Sequence, residues 1–480
     1  MEFNSYSYLV LLIPAVGLFW ALPPSLRRWY VLALSIAYYA TWNPAFIAVP
    51  LALSLGVQFF ARTLTRQPSH LRRWFWGGIG FVLAIFLFFR YRGFLVDNVN
   101  AFLAAIGASP VAAALQIGIP LGISFYSFEA ISYLIDAKQG RIKESRFFDL
   151  YLFIMFWPHL MAGPIVRFRE LFPQLRFSKP FELAMLLRGL DRLVWGLVQK
   201  NLFANSLGSW VDEGFRHSAV VANSTLDNWT LTVAFGLQIY FDFAAYSNMA
   251  IGVAQLIGVT LPENFRFPYH AATPPDFWSR WHMTLSRWIR DYLFFPVNAR
   301  FRGAPGPLYL SLLGVMALVG LWHGAAWKFV VWGVLHGAYL VLYRIWESLR
   351  DTRFPALAKS RLASWGWRAF TLLAVFVAWV PFRANTMADA AGMLASMFAR
   401  LRFGFSYGLN FYLVVFLIAL FCVVEPFLSA AWGRMEGFAA TNRGGRLAST
   451  YLLRPALYAF GLALFLIFDN HSIQFIYFQF

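Results

Sequence analysis

Residues 307–337 read PLYLSLLGVMALVGLWHGAAWKFVVWGVLHG, and between Arg302 and Lys328 the imidazole of His323 is the one side chain there that can take up or release a proton near neutral pH. A run this apolar needs a solvent other than water, and the hydrocarbon core of a bilayer, spanned by ~20 helical residues, is that solvent. An ionisable group at membrane depth is costly and marks a functional position by default. Gly320 and Gly324 on either side of Trp322 and His323 permit a helix break that opens the imidazole onto a cavity. Two readings follow from the residues alone: a base with a pKa near working pH, able to take a hydroxyl proton and return it, or a neutral core histidine bonded to a backbone carbonyl. His336 follows 13 residues later, roughly 220° around a continuous helix, so the two imidazoles share a site only if the chain breaks between them, and a packing role is expected for His336.

The rest of the chain has the same character. Of 480 residues, 60% are hydrophobic and 19% aromatic against 13% charged, too little polar surface for a water-soluble fold. Apolar runs recur at Tyr8–Trp20, Trp74–Phe89, Leu308–Trp322, Phe329–Tyr343, Ala369–Pro381, Phe411–Val424 and Leu457–Phe468, and Val31–Ala61 is long enough for a tight pair. With weaker segments included, an all-α integral membrane protein of roughly ten to twelve spans is expected. Runs broken by Gly and Pro point to re-entrant segments. The first run lacks a basic segment before it and is read as a membrane helix, not a signal peptide. A net charge of +18 argues for cytoplasmic loops and not for nucleic acid, since the basic residues cluster at Arg27–Arg28, Arg62–Arg73, Lys138–Arg146 and Arg344–Arg368. Counting spans between the first clusters puts the N-terminus outside, while Arg383, Arg400 and Arg402 do not sort to one side. The lone cysteine, Cys422, excludes an intramolecular disulfide and reads as a buried small apolar residue. Without repeats or low-complexity linkers, residues 1–480 read as a single membrane domain, with an N-terminal helix block at 1–114, a core at 115–340 and C-terminal helices at 341–480.

Polar residues concentrate in that core. In Asp276–Tyr292, DFWSRWHMTLSRWIRDY, a helical repeat gathers Trp278, Trp281, Leu285, Trp288, Ile289 and Tyr292 on one side and Asp276, Arg280, Arg287, Arg290 and Asp291 on the other. One continuous interfacial helix is expected, indoles at the headgroup boundary, bounded by Pro274–Pro275 and Pro296, with His282 at the edge of its aromatic side. YFDFAAYSNMAIG (240–252) sets Asp242, Ser247 and Asn248 among aromatic and small residues, where they are either interhelical hydrogen-bonding groups or the lining of a polar passage. Glu129 and Asp136 share a helix face and line such a passage or mark the membrane boundary. His159 and His270, beside prolines, read as surface or structural groups. No phosphate-binding loop, dinucleotide fingerprint, HExxH or Gly-x-Ser-x-Gly elbow is present, so any chemistry rests on histidines and hydroxyls, with no metal.

In order along the chain, PLGISFYSFEAISYLID, FWPHLMAGPIVRFRELFPQL, YFDFAAYSNMAIG, LPENFRFPY, DFWSRWHMTLSRWIRDYLFFPV and LWHGAAWKFVVWGVLHG resemble the motif series of the membrane-bound O-acyltransferase (MBOAT) superfamily. The likeness is strongest to the branch that acetylates alginate, peptidoglycan and cellulose. The resemblance implies tilted helices around a central tunnel, with His323, matching the Trp-His-Gly motif, near its middle beside Trp322, and His282, matching the Arg-Trp-His motif, as the second catalytic histidine. It implies acetyl-CoA as donor, no permanently bound cofactor, and an exported polysaccharide, alginate-like before peptidoglycan, as acceptor. D-alanyl or lipid transfer is the alternative within the fold. It further implies a bacterial inner-membrane protein in contact with lipid, working with an extracytoplasmic SGNH-type acetyltransferase. Tyr477, in FIYFQF (475–480), would be an acyl relay or an aromatic anchor, and Arg280, Arg287 and Arg290 would meet CoA phosphates or lipid headgroups. Asn248 departs from the acidic residue common at its position in alginate-type relatives. A transporter is the competing class, disfavoured by the lack of inverted repeats.

Overall fold

The computed structural model describes residues 2–111, 117–142, 146–216, 220, 223–299, 305–355, 360–468 and 475–476. The chain is 80% helical, and no strand occurs among the described residues. Seven helices there are long and apolar enough to cross a membrane: Pro44–Arg66, Leu71–Arg90, Gly306–His323, Trp327–Arg353, Arg361–Arg383, Leu409–Ala439 and Arg443–Phe468. This is fewer than the roughly ten to twelve expected from apolar runs. The difference has a physical source. Tyr6–Ala21 is apolar but short, and Thr225–Leu256, with 32 residues, carries Gln238, Asp242, Ser247 and Asn248 along its length, so its mean hydropathy falls although its flanks are buried.

The helices group into two compact units, Met1–Leu190 with Ala250–Pro262, and Asp191–Met249 with Glu263–Phe480. In the first, the aromatic surplus packs as hydrogen-bonded rings. The Trp157 indole donates to Tyr8 Oη at 3.3 Å and its backbone N–H to Ser35 Oγ at 3.3 Å, while Tyr38 packs on Phe3 and Tyr8. Gly122 is left-handed, and a Cβ there would come within 2.2 Å of the Leu160 carbonyl, so PLGIS admits only glycine. His159 is buried, not superficial, with Nδ1 3.1 Å from Glu129 Oε1. Asp136, also buried, meets Arg141 at 3.1 Å and Arg169 at 3.8 Å. Both carboxylates are thus answered by cations or donors, as burial requires.

In the second unit the opening stretch folds into a hairpin of Gly306–His323 and Trp327–Arg353. A Cβ on Gly320 would sit 2.0 Å from the Phe329 carbonyl, and one on Gly333 2.1 Å from that of Met316. Small residues let the two backbones touch, the interface chemistry expected where no hydrophobic force separates helix from lipid. The helix does break where the glycines permit it, at Gly324, immediately after His323. Gly320 serves packing instead.

The helix Thr225–Leu256 opens on a capping box: Ser224 Oγ accepts from Asp227 N at 3.1 Å and Asp227 Oδ2 from Ser224 N at 2.8 Å. Asp227 also accepts from Ser406 Oγ at 2.6 Å and Tyr412 Oη at 2.5 Å.

Candidate active site

The expected continuous helix over Asp276–Tyr292 is interrupted. Thr273 caps a short helix Pro274–Trp278, a second helix runs Met283–Ile289, and a π-helical turn covers Arg290–Phe294. The two prolines lie in the first turn, where a missing N–H costs nothing. The interruption centres on His282, left-handed at φ 41°, an uncommon state for a side chain that is not glycine and one that persists only when its surroundings hold it. Backbone bonds from Arg266 N to Arg280 O at 2.9 Å and from Met283 N to Asn264 O at 2.8 Å clamp the turn against the LPENFRFPY segment. A periodicity argument could not see this, because the aromatic side keeps its residues: Trp281, Leu285, Trp288, Ile289 and Tyr292 are buried in protein, not spread at a headgroup boundary. Of the three arginines, Arg280 is held by Asp276 at 2.7 Å, whereas Arg287 and Arg290 are exposed, the latter paired with Asp291 at 2.8 Å.

The turn delivers the imidazole of His282 to the interior, fully buried. Its Nδ1 lies 3.0 Å from Asn264 Oδ1, which also accepts from Thr284 Oγ1 at 2.9 Å and from the Thr284 backbone N–H at 3.4 Å. An atom bonded by a backbone N–H is an acceptor, so Asn264 presents its oxygen here, and its Nδ2 donates to Ser247 Oγ at 3.0 Å. Nδ1 of His282 therefore carries the proton, and in the neutral ring Nε2 is left as a lone-pair acceptor. That atom is buried and has no hydrogen-bond partner among the described residues. The chain Ser247, Asn264, His282 thus fixes one tautomer and leaves a basic nitrogen buried in aromatic surroundings, with the Phe243 ring 4.7 Å away edge-on.

His323 shares that space. The Trp322 ring stands 4.9 Å from His323 and 6.3 Å from His282. Trp332 and Phe382 complete the wall around His323 at 5.0 and 5.6 Å. His336 is buried among Phe277, Trp278, Trp332, Tyr339 and Trp379, the packing position expected of it, and His270 bonds the Cys422 carbonyl at 3.0 Å.

The polar residues of YFDFAAYSNMAIG divide among three faces of their helix. Ser247 joins the His282 chain. Asn248 Oδ1 accepts from Arg192 at 2.7 Å and its Nδ2 donates to Gln199 at 2.7 Å. Asp242 Oδ1 pairs with Lys200 Nζ at 2.7 Å, and its Oδ2 accepts the backbone N–H of Ile476 at 2.8 Å. Tyr477 lies outside the described residues. Sequence reasoning passed over Asn264, although it stands in a quoted motif, and over Lys200, an ionisable residue in the apolar stretch LVWGLVQKNLFA, the same signal that singled out His323. Among the described residues no group of three or more His, Cys, Asp or Glu side chains could hold a metal ion.

Comparison with known proteins identifies the family. The MBOAT, membrane-bound O-acyltransferase family, matches residues 29–382. The chain is 36% identical over 406 residues to "Probable alginate O-acetylase AlgI" of Azotobacter vinelandii, covering 83% of this chain and 78% of that protein. It is 30% identical over 400 residues to "Peptidoglycan O-acetyltransferase" of Helicobacter pylori, covering 77% and 73%. To "Teichoic acid D-alanyltransferase" of Bacillus subtilis it is 29% identical over 236 residues, 47% of this chain and 59% of that one. With a family match over residues 29–382 and seven helices among the described residues fit to cross a bilayer, this chain belongs to the membrane-bound O-acyltransferase family and is a multi-pass acyltransferase.

Proposed function

We propose that the enzyme passes acetyl groups from cytoplasmic acetyl-CoA across the inner membrane for O-acetylation of an exported polysaccharide of the alginate kind. The observation that carries this reading is the open Nε2 of His282, held by Asn264 and facing, across Trp322, the imidazole of His323. His323 takes the proton of the accepting hydroxyl, whose oxygen attacks the thioester carbonyl. The C–S bond breaks, an ester forms, and the departing CoA thiolate recovers the proton from the imidazolium. His282, able only to accept, receives an N–H such as the amide of the pantetheine arm and so orients the thioester. Both imidazoles work in a water-poor space, where polar contacts are stronger than in water.

The first acceptor is the Tyr477 phenol, which relays the acetyl group to an SGNH-type transferase on the outer side. A phenol of pKa ~10 needs a base to react readily. Exposed Arg287 and Arg290 offer charge for CoA phosphates, with lipid headgroups as the competing occupants. The N-terminus faces the extracytoplasmic side. Peptidoglycan is the second acceptor to consider, supported by the Helicobacter pylori relative.

The test is transfer from radiolabelled acetyl-CoA in proteoliposomes. Label should appear on the protein, vanish in Tyr477→Phe and fall at least a hundredfold in rate in His323→Ala, with folding checked by melting. Acetyl-CoA left intact by the parent enzyme in the presence of a polysaccharide and an extracytoplasmic transferase would sink the donor assignment.

A further inference from the structure

The sequence reading assigned Asp242 no more than a supporting role, and Lys200 none. Both are fully enclosed, Lys200 at 0% and Asp242 at 2% exposure. A buried ion pair is poor evidence of stabilisation, because desolvating two charges cancels most of their attraction unless the remaining donors and lone pairs are also satisfied. Here residues 475 and 476 do the satisfying. The Phe475 ring lies 4.2 Å under Lys200 Nζ as a cation–π partner, and the Ile476 N–H fills the second oxygen of Asp242 at 2.8 Å. Phe475 also meets the Tyr246 ring edge-on at 5.1 Å, and both residues are buried. Each half of the ion pair is therefore completed by one residue of FIYFQF. Lys200 itself stands in a π-helical turn, Gln199–Ala204, a distortion concentrated at functional positions.

The placement is informative. Asp242 and Tyr246, which hold the segment, are each followed by a residue of the histidine site, Phe243 and Ser247, about 100° around the same helix. We propose that the Lys200–Asp242 pair is the receptor for Phe475 and Ile476 of the enzyme's own FIYFQF segment, gripping the Phe475 ring and the Ile476 amide and so setting, beside the histidine site, the point from which the chain continues to Tyr477. Lys200 and Asp242 are positioning residues in this scheme. Its consequence for acyl transfer rests on the Tyr477 relay proposed above, while the receptor role stands on contacts of residues 475 and 476 alone.

The experiment is limited chymotrypsin cleavage after Tyr477 and Phe478 in full-length enzyme in nanodiscs. Ile476→Pro removes the donated N–H, whereas Ile476→Ala keeps it; cleavage should speed up at least tenfold in the first and stay within twofold of the parent in the second. Lys200→Met with Asp242→Leu, an apolar exchange that leaves no lone buried charge, should retain cooperative melting and also speed cleavage at least tenfold. Equal rates for Ile476→Pro and Ile476→Ala, or a folded double variant as protected as the parent, would overturn the receptor. Loss of protection in the double variant, with protein labelling independent of Tyr477, would uphold the receptor and refute the relay.

Discussion

Asn264→Ala isolates the central claim about His282. The substitution removes the acceptor of the His282 Nδ1 proton, the acceptor of the Thr284 hydroxyl and the donor to Ser247, contacts of 3.0, 2.9 and 3.0 Å in a dry environment. A buried group left without its partner costs about 1–3 kcal/mol. Once the Thr284 hydroxyl turns to another acceptor and Ser247 Oγ to another donor, the stability loss should be roughly 3 kcal/mol, read as a lower melting temperature in detergent. Catalysis should fall for a separate reason. Without Asn264 the ring can adopt either tautomer and rotate, so the oriented acceptor at Nε2 is lost; one such bond, about 1.4–2.8 kcal/mol, corresponds to about 10–100-fold in kcat/KM for acetyl-CoA. Thr284→Val is the control: it should destabilise by about 1 kcal/mol and leave kcat/KM within twofold, because Asn264 still holds the imidazole. The decisive comparison is the double variant. If Asn264 acts through His282, then His282→Ala with Asn264→Ala should be no slower than His282→Ala alone. Additive losses in kcat/KM would refute the tautomer argument.

Three further outcomes follow from particular contacts. Gly320→Ala places a methyl 2.0 Å from the Phe329 carbonyl, so the hairpin must open; about 1–3 kcal/mol of stability and at least tenfold in turnover should be lost, because the helix ends on His323, and unchanged melting would contradict the packing. Asn248→Asp should keep activity within twofold, since Arg192 bonds either side chain and the Gln199 amide can turn to donate, whereas Arg192→Met should destabilise the protein; a tenfold loss in Asn248→Asp would show that the neutral amide matters. At Asp227, burial pushes the carboxyl up, but hydrogen bonds from Ser406, Tyr412 and Ser224 outweigh it and hold the group below the ordinary carboxylate range. A depressed carboxyl adds stability that is full above its unfolded pKa, ~3.9, and drains away as pH falls through the folded value. Melting temperatures of the parent and Asp227→Asn should therefore differ most near neutrality and converge below about pH 4, and a gap independent of pH would refute the ionic contribution.

Lipid as the solvent, the helical class and the family likeness were all legible in one dimension. Each rests on composition, run length or an ionisable residue in apolar surroundings, properties a linear chain displays directly. The hairpin break at Gly324 was legible for the same reason. The burial of Gln238, Asp242 and Ser247 along Thr225–Leu256 was not, because it depends on what packs against that helix.

The helical repeat of Asp276–Tyr292 grouped the aromatic side chains on one side but set them at the headgroup boundary, whereas Trp281, Leu285, Trp288, Ile289 and Tyr292 are buried in protein, and it missed the left-handed turn at His282. That turn is stabilised by hydrogen bonds to a segment 18 residues upstream, and periodicity carries no information about partners beyond one helix. Asn264 was passed over on the same account, since an amide acquires a role only through what lies opposite it, whereas Lys200 carried a legible signal, an ionisable residue in an apolar stretch. Which atoms face His282, and what completes Asp242, are therefore decided by tertiary contacts, because buried polar groups must find partners wherever in the chain those partners occur.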